Sequence, residues 1–181
     1  MGYVVLFLAK GFEEIEALTP VDVLRRGGVE VKTMAIDDVE VVEGAHGISV
    51  KSDMFYDREI AFNADMLILP GGGIGTENLD NNKDISSLLI DFNNKGKYIA
   101  AICAAPSILG KRGILKGKKA ICYNGFEKFL EGAVITEKSV VCDGNIITSK
   151  SMGVSMEFAF TLLKILKGEE TVISVKKSLM L

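Results

Sequence analysis

An α/β fold, with a mostly parallel central sheet flanked by helices, follows from three features of the sequence. Short apolar runs recur along the chain, helical stretches lie between them, and no low-complexity or Ser/Pro-rich linker interrupts the alternation. Most runs are rich in Val, Ile and Leu without clean alternation, the pattern of strands buried on both faces. Strands alternating with helices give parallel sheets packed between helical layers. The 181 residues fit a single domain, 1–181, with room for a substantial core.

The first run, Tyr3–Leu8, reads as a strand and Glu14–Arg26 as the helix that follows. Val29–Ile36 and Met66–Leu69 are the next strands, and Ile85–Asn94 is a helix leading into a strand over Tyr98–Cys103. Pro106 suits the first turn of a short helix, Pro106–Arg112, where its missing N–H has no intrahelical partner to lose. Lys119–Cys122 and Ile146–Ser149 are further strands. Asp143-Gly144, between Val140-Val141-Cys142 and Ile146-Ile147, marks a hairpin. A last long helix covers Ser155–Leu166, with Gly168 as its stop.

Composition removes several classes of function. The 21 basic and 24 acidic side chains leave a net charge of −3, whereas a nucleic-acid surface needs a clustered basic excess. One histidine, His46, excludes His-rich zinc or copper sites. No metal or other cofactor is expected. The N-terminus lacks the basic start and small-residue cleavage site of a secretory signal. A membrane helix needs about 20 apolar residues, and the longest candidate, Tyr98 to Leu109, is broken by Pro106 and Ser107. Three cysteines without CxxC spacing offer no disulfide framework. The expectation is a reduced cytoplasmic protein with no membrane contact and no specific nucleic-acid site.

In open parallel sheets, ligands gather at the carboxyl ends of the strands. The first strand runs into Ala9-Lys10-Gly11-Phe12-Glu13-Glu14-Ile15-Glu16. One glycine and three carboxylates stand where a dinucleotide fold places G-x-G-x-x-G, and carboxylates repel a phosphate. Glu13 and Glu14 read as a solvated acidic first turn that complements the helix dipole. Glu16, beside Ile15, Ala17 and Leu18, is placed to point into the sheet edge. Pro70-Gly71-Gly72-Gly73-Ile74-Gly75 matches no phosphate motif. It suits equally a tight loop or a set of uncovered N–H groups able to stabilise an oxyanion.

The most informative segment is Ala100-Ala101-Ile102-Cys103-Ala104-Ala105-Pro106. Cys103 ends a strand just before a helix, the position of a nucleophile in a strand-to-helix elbow. Ala101 and Ala105 stand where the G-x-S-x-G elbow has glycines. The helix N-terminus is expected to lower the thiol pKa. Cys122 and Cys142, inside strand-like runs, read as buried core cysteines.

In order along the chain, several segments together resemble the DJ-1/PfpI superfamily, in particular its DJ-1-like (ThiJ) branch. They are Ala9-Lys10-Gly11 with Glu13–Glu16, Pro20-Val21-Asp22-Val23 with Arg25-Arg26, Leu69-Pro70-Gly71-Gly72, Ala100–Ala104 with Pro106, and Ser155-x-Glu157-Phe158-Ala159. The resemblance implies a flavodoxin-like three-layer sandwich, usually a homodimer. It also implies a reactive cysteine at Cys103 and a partner carboxylic acid at Glu16. Backbone N–H groups near Gly72 and Ala104 would receive an oxyanion, and no cofactor is implied. Family members have been assigned glyoxalase and deglycase activity on small carbonyl substrates or glycated adducts, chaperone behaviour, and oxidative sensing through cysteine sulfinate.

Two departures shape the expectation. The protease branch places histidine directly after the nucleophile, and here that position is Ala104, which counts against a cysteine peptidase. Where the DJ-1 branch has a histidine near the site, alignment gives Tyr123, a phenol that can hydrogen-bond but is a poor base at neutral pH. His46, in Val42-Glu43-Gly44-Ala45-His46-Gly47, is expected on a surface hairpin or dimer-contact loop. The expected chemistry is cofactor-free attack by Cys103 on an α-oxoaldehyde or glycation adduct, with Glu16 relaying the proton. The alternative is a stress sensor or redox-responsive chaperone that oxidises at Cys103.

Overall fold

A computed structural model describes residues 2–181. β1 (Tyr3–Leu8), α1 (Glu14–Arg26) and β2 (Glu30–Ala35) open the chain, and β3 (Val41–Glu43) and β4 (Ser49–Lys51) form a separate antiparallel hairpin. β5 (Met54–Phe55), α2 (Arg58–Asn63), β6 (Met66–Leu69), α3 (Gly73–Asn81), α4 (Lys83–Asn94) and β7 (Tyr98–Ile102) follow. Then come α5 (Pro106–Lys111), β8 (Lys119–Ala120), β9 (Val134–Ile135), β10 (Val140–Asp143), β11 (Ile146–Ser149), α6 (Ser155–Lys167) and α7 (Glu169–Ser178).

Seven strands form the central sheet in the order β10-β11-β7-β6-β1-β2-β5, and only β10 runs antiparallel to its neighbour. Period-two alternation sends successive side chains of β1 to opposite faces. Val4, Leu6 and Leu8 enter a core with Ala17, Val21 and Leu24 of α1 and Phe158, Leu162 and Leu163 of α6. Val5, Phe7 and Ala9 enter the other core, with Leu79 of α3, Leu88 and Phe92 of α4 and Ile108 of α5. Both faces are covered, which is why the strands read as unbroken apolar runs.

The structure corrects several expectations. The strand expected over Lys119–Cys122 is only β8, paired with β9 outside the main sheet. Beyond it, the Ile121 N–H donates to Thr148 Oγ1 at 3.0 Å and the Tyr123 N–H to the Cys103 carbonyl at 2.7 Å. These bonds turn the chain across the ends of β11 and β7. The strand expected over Tyr98–Cys103 stops at Ile102, because Cys103 adopts a left-handed backbone with φ 65°. The helix expected from Ile85 starts at Lys83, since Asn82 Oδ1 caps the N–H groups of Asp84 and Ile85 at 3.0 Å each. Cys142 is exposed, not core, because β10 is an edge strand with one side open to solvent. Cys122 is buried as expected.

Candidate active site

β7, β6 and β1 lie side by side, and their carboxyl ends bring three segments together. Cys103 follows β7, Pro70-Gly71-Gly72 follows β6, and the loop into α1 follows β1. Cys103 and Met180 are the two non-glycine residues with positive φ among those described. For an L-residue this conformation costs about 1–2 kcal/mol. The elbow is held by its main chain, since the Cys103 N–H donates to the Ser149 carbonyl at 2.9 Å and the Cys103 carbonyl accepts from Tyr123. The turn lifts the thiol out of the sheet.

Glu16 sits in the first turns of α1, and only 1% of its surface is exposed. Its Oε2 accepts the Gly71 N–H at 3.0 Å, and its carboxyl hydrogen-bonds to the Cys103 thiol. The approach is close enough to dictate a glycine. A Cβ on Gly71 would stand 2.5 Å from Glu16 Oε2 and 2.6 Å from Cys103 Cβ. Gly72, with φ 92°, takes a backbone conformation that glycine alone adopts freely, and a Cβ there would meet the Gly11 carbonyl at 2.3 Å.

Burial pushes the Glu16 carboxyl up to about 7, with Glu13 adding negative charge nearby, while bonds from Cys103, Gly71 and Met152 pull the other way. The Cys103 thiol is pushed up to about 12, by burial first and then by the charge and hydrogen bond of Glu16; the N–H groups of Ala104 and Gly72 oppose this. The expectation of a thiol lowered by the helix dipole is therefore overturned. Burial outweighs the dipole, and the neighbouring carboxylate repels a thiolate. Protonating Glu16 removes that charge and leaves the sulfur facing the Gly72 and Ala104 donors. The two groups thus share their first ionisation and behave as one unit.

The thiol opens into a cavity of about 310 Å³ lined by Glu13, Glu16, Gly72, Gly73, Cys103, Ala104, Tyr123, Phe126, Ser151 and Met152. The structure thus brings together all five expected site residues, Cys103, Glu16, Gly72, Ala104 and Tyr123. Tyr123 is 48% exposed, and its ring meets Phe126 edge-on at 6.4 Å. Phe126, Ser151 and Met152 were missed. The strand-end rule applied to Ile146–Ser149 would have marked Ser151 and Met152, whereas Phe126 carries no local signal.

Glu13 and Glu14 do not form a solvated first turn. Glu14 is only 4% exposed, because the β3–β4 hairpin closes over it. Its Oε1 accepts the His46 N–H at 2.7 Å and its Oε2 meets His46 Nδ1 at 2.8 Å. Burial raises the Glu14 carboxyl, but the bonds and charge of His46 win and hold it below the ordinary value. His46 is raised, through its bond to Glu14 and then the charges of Glu13 and Glu14. The His46 side chain is largely exposed on its hairpin, as expected, and is absent from the lining of the thiol cavity. Donor atoms of Glu13, Glu14 and His46 lie within 4.8 Å of one another, a spacing that a cation could bridge. The Glu14–His46 ion pair already accounts for it.

Residues 3–165 match the DJ-1/PfpI family. Protein DJ-1 homolog B of Arabidopsis thaliana is 37% identical over 180 residues, covering 98% of this chain and 41% of that protein. The chain spans under half the length of the two Arabidopsis relatives, 41% and 46%. Deglycase PfpI of Pyrococcus furiosus is 33% identical over 166 residues, covering 90% of this chain and 99% of that one. Among solved structures, a DJ-1 superfamily protein from Salmonella typhimurium superposes with a TM-score of 0.92 at 33% identity, covering 99% and 98% of the two chains. With family match, sequence identity and fold in agreement over nearly all of its length, the chain belongs to the DJ-1/PfpI family.

Proposed function

We propose that the chain is a cysteine-dependent, cofactor-independent enzyme acting on reactive α-oxoaldehydes or their glycation adducts. The observation that carries this reading is the buried Glu16 carboxyl hydrogen-bonded to a thiol in a left-handed elbow. Cys103 Sγ forms a bond to the aldehyde carbon of methylglyoxal, and the thiol proton passes through Glu16 to the new alkoxide. Glu16 then removes the hydrogen of that carbon and returns a proton at the neighbouring carbon, giving a lactoyl thioester. Water hydrolyses the thioester, releasing lactate and the free thiol. No external oxidant is needed, because one carbon is oxidised as its neighbour is reduced. The N–H groups of Gly72 and Ala104, already directed at the sulfur, are placed to stabilise the oxyanion, and Tyr123 lines the substrate side.

A cofactor-free methylglyoxal assay on wild type, Cys103→Ala and Glu16→Gln tests this. Activity is expected in wild type, none in Cys103→Ala and a large loss in Glu16→Gln. Turnover surviving in Cys103→Ala sinks the proposal.

The same two N–H donors support a second reading, in which Cys103 oxidises to a sulfinate and acts as a stress sensor or redox-responsive chaperone. Intact mass after mild peroxide distinguishes it: two oxygens gained at Cys103 support it, and uniform oxidation of all three cysteines counts against it. Three free thiols fit a reducing cytoplasm, the proposed location. A homodimer is proposed, with the exposed Ile15 and Leu18 of α1, Ile48 between β3 and β4, and Met156 of α6 as candidate apolar contacts. Light scattering behind size exclusion checks it, and a monomeric mass rejects it.

A further inference from the structure

The cavity around Cys103 adjoins a second one of about 420 Å³ between α3 and α5, with Thr76, Asp80, Ser107 and Lys111 on its walls. Gly73 and Phe126 are the two residues that line both. Gly73 brings no side chain to the boundary, and a Cβ built on it would meet no neighbouring heavy atom within 4 Å. Among the described residues, the Phe126 ring is therefore the one side chain common to both spaces, and it divides them.

The ring is positioned from the nucleophile itself. The Tyr123 N–H donates to the Cys103 carbonyl at 2.7 Å, and the Phe126 N–H donates to the Tyr123 carbonyl at 3.0 Å. Gly125, with φ 90°, allows the tight turn between them. The ring then meets Tyr123 edge-on at 6.4 Å and Phe129 at 5.9 Å. Aromatic pairs at such separations attract, so Phe126 is gripped on two sides. It stands as a fixed wall, tied through the main chain to the residue that carries the thiol.

We propose that Phe126 is a specificity-determining residue: it limits the size of the group that a substrate carries beside the carbonyl attacked by Cys103. The proposal rests on the reading of Cys103 as a carbonyl-attacking thiol. A compact group stays within the first cavity of about 310 Å³. A group of two linked rings needs the space that Phe126 closes off. Truncating that side chain joins the two cavities, and the limit rises. The selection is steric and independent of the charge of the substrate.

Phenylglyoxal and 4-biphenylylglyoxal, which share one reacting end, test this beside methylglyoxal. In wild type, kcat/KM is expected to fall at least about tenfold from the phenyl to the biphenylyl compound. Phe126→Ala should raise the biphenylyl-to-phenyl ratio at least about tenfold, and Phe126→Leu should raise it less. Gly73 opens α3 without a positive φ, so leucine is accommodated there. Adding Gly73→Leu to Phe126→Ala puts a side chain back at the boundary and should return the ratio toward wild type. A ratio unmoved by Phe126→Ala, or not restored by Gly73→Leu, overturns the proposal. If Phe126→Ala does not fold, Phe126→Leu carries the same comparison.

If wild type consumes none of the three aldehydes, the proposed function fails, and alkylation decides the role of Phe126. Cys103 is labelled with iodoacetamide and with N-(4-biphenylyl)iodoacetamide, each rate divided by that for free N-acetylcysteine amide. A bulky-to-small ratio that rises in Phe126→Ala and falls again with Gly73→Leu supports the wall; equal ratios in wild type and Phe126→Ala reject it.

Discussion

Replacing Glu16 by glutamine should change the reactivity of Cys103 only above pH 7. Glu16 titrates near 7 and the thiol near 12 while Glu16 is charged. Two charges in contact at an effective dielectric of about 20 repel by about 4 kcal/mol, worth about three pH units. That is the upper limit of Glu16's share, because burial is the larger cause of the thiol's shift and persists when Glu16 is neutral. Once the pair has lost one proton, Glu16 therefore carries nearly all of that charge and sulfur only a small share. Wild-type alkylation by iodoacetamide should therefore rise about tenfold per pH unit up to about 7 and then level off. The amide introduced by Glu16→Gln stands in for the protonated carboxyl, so the variant's profile should overlay wild type below 7. Above 7 it should keep rising, ending at least about tenfold higher. The assay is pseudo-first-order alkylation of Cys103 followed by mass. A wild-type profile without an inflection near 7, or two profiles that level off together, would refute the coupling. A variant that alkylates faster yet turns over methylglyoxal more slowly would separate proton relay from thiol activation.

Three further outcomes follow from the geometry. Gly71→Ala places a methyl group against Glu16 and Cys103, so it should cost about 1–3 kcal/mol of stability and remove the inflection near 7; wild-type denaturation and activity would show that the contact relaxes freely. The Glu14–His46 pair should stabilise the fold most between the two ordinary values, 4.5 and 6.5. Glu14, lowered on folding, contributes above 4.5 and loses its share as pH falls through its folded value; His46, raised on folding, contributes fully below 6.5 and loses its share as pH rises through its own. The Tm difference between wild type and His46→Gln should thus peak in that window, and a pH-independent difference would show that the ion pair contributes nothing. Native labelling with a bulky disulfide reagent should modify Cys142 and spare Cys122 until the protein unfolds, matching their exposed and buried positions; early loss of Cys122 would contradict the packing beneath β8.

The sheet was legible because burial on both faces writes itself as apolar runs, and Tyr3–Leu8, Met66–Leu69 and Ile146–Ser149 keep their expected bounds. Cys103 was legible by position, at the end of a strand and before a proline. The environment of Glu14 was not. A carboxylate in the first turn of a helix looks the same in sequence whether water or a hairpin covers it, and its partner His46 lies 32 residues further on. Cys142 was misjudged because an edge strand and a central strand share a local pattern and differ only in what pairs beside them. The thiol's ionisation failed for a related reason. The helix dipole is a local property, whereas burial and the Glu16 charge arrive from β1, β6 and α1 together.

The single histidine connects these observations. A thiol in this fold can exchange its proton with an imidazole or with a carboxylic acid, and the sequence has one imidazole to offer. The structure commits it elsewhere, since His46 Nδ1 meets Glu14 Oε2 at 2.8 Å on the outer side of α1's first turn. Two residues later on the same helix, Glu16 faces inward to the thiol. One helical turn thus carries an ion-paired carboxylate held low and a desolvated carboxyl held up to about 7. The second can gain and lose a proton near neutral pH, which the first cannot. The two differ in environment alone. Moving the imidazole beside the sulfur, as in Ala104→His, would therefore give the thiol a second proton acceptor, and the alkylation plateau above pH 7 should rise. A plateau left unchanged would mean that Glu16 alone governs the thiol.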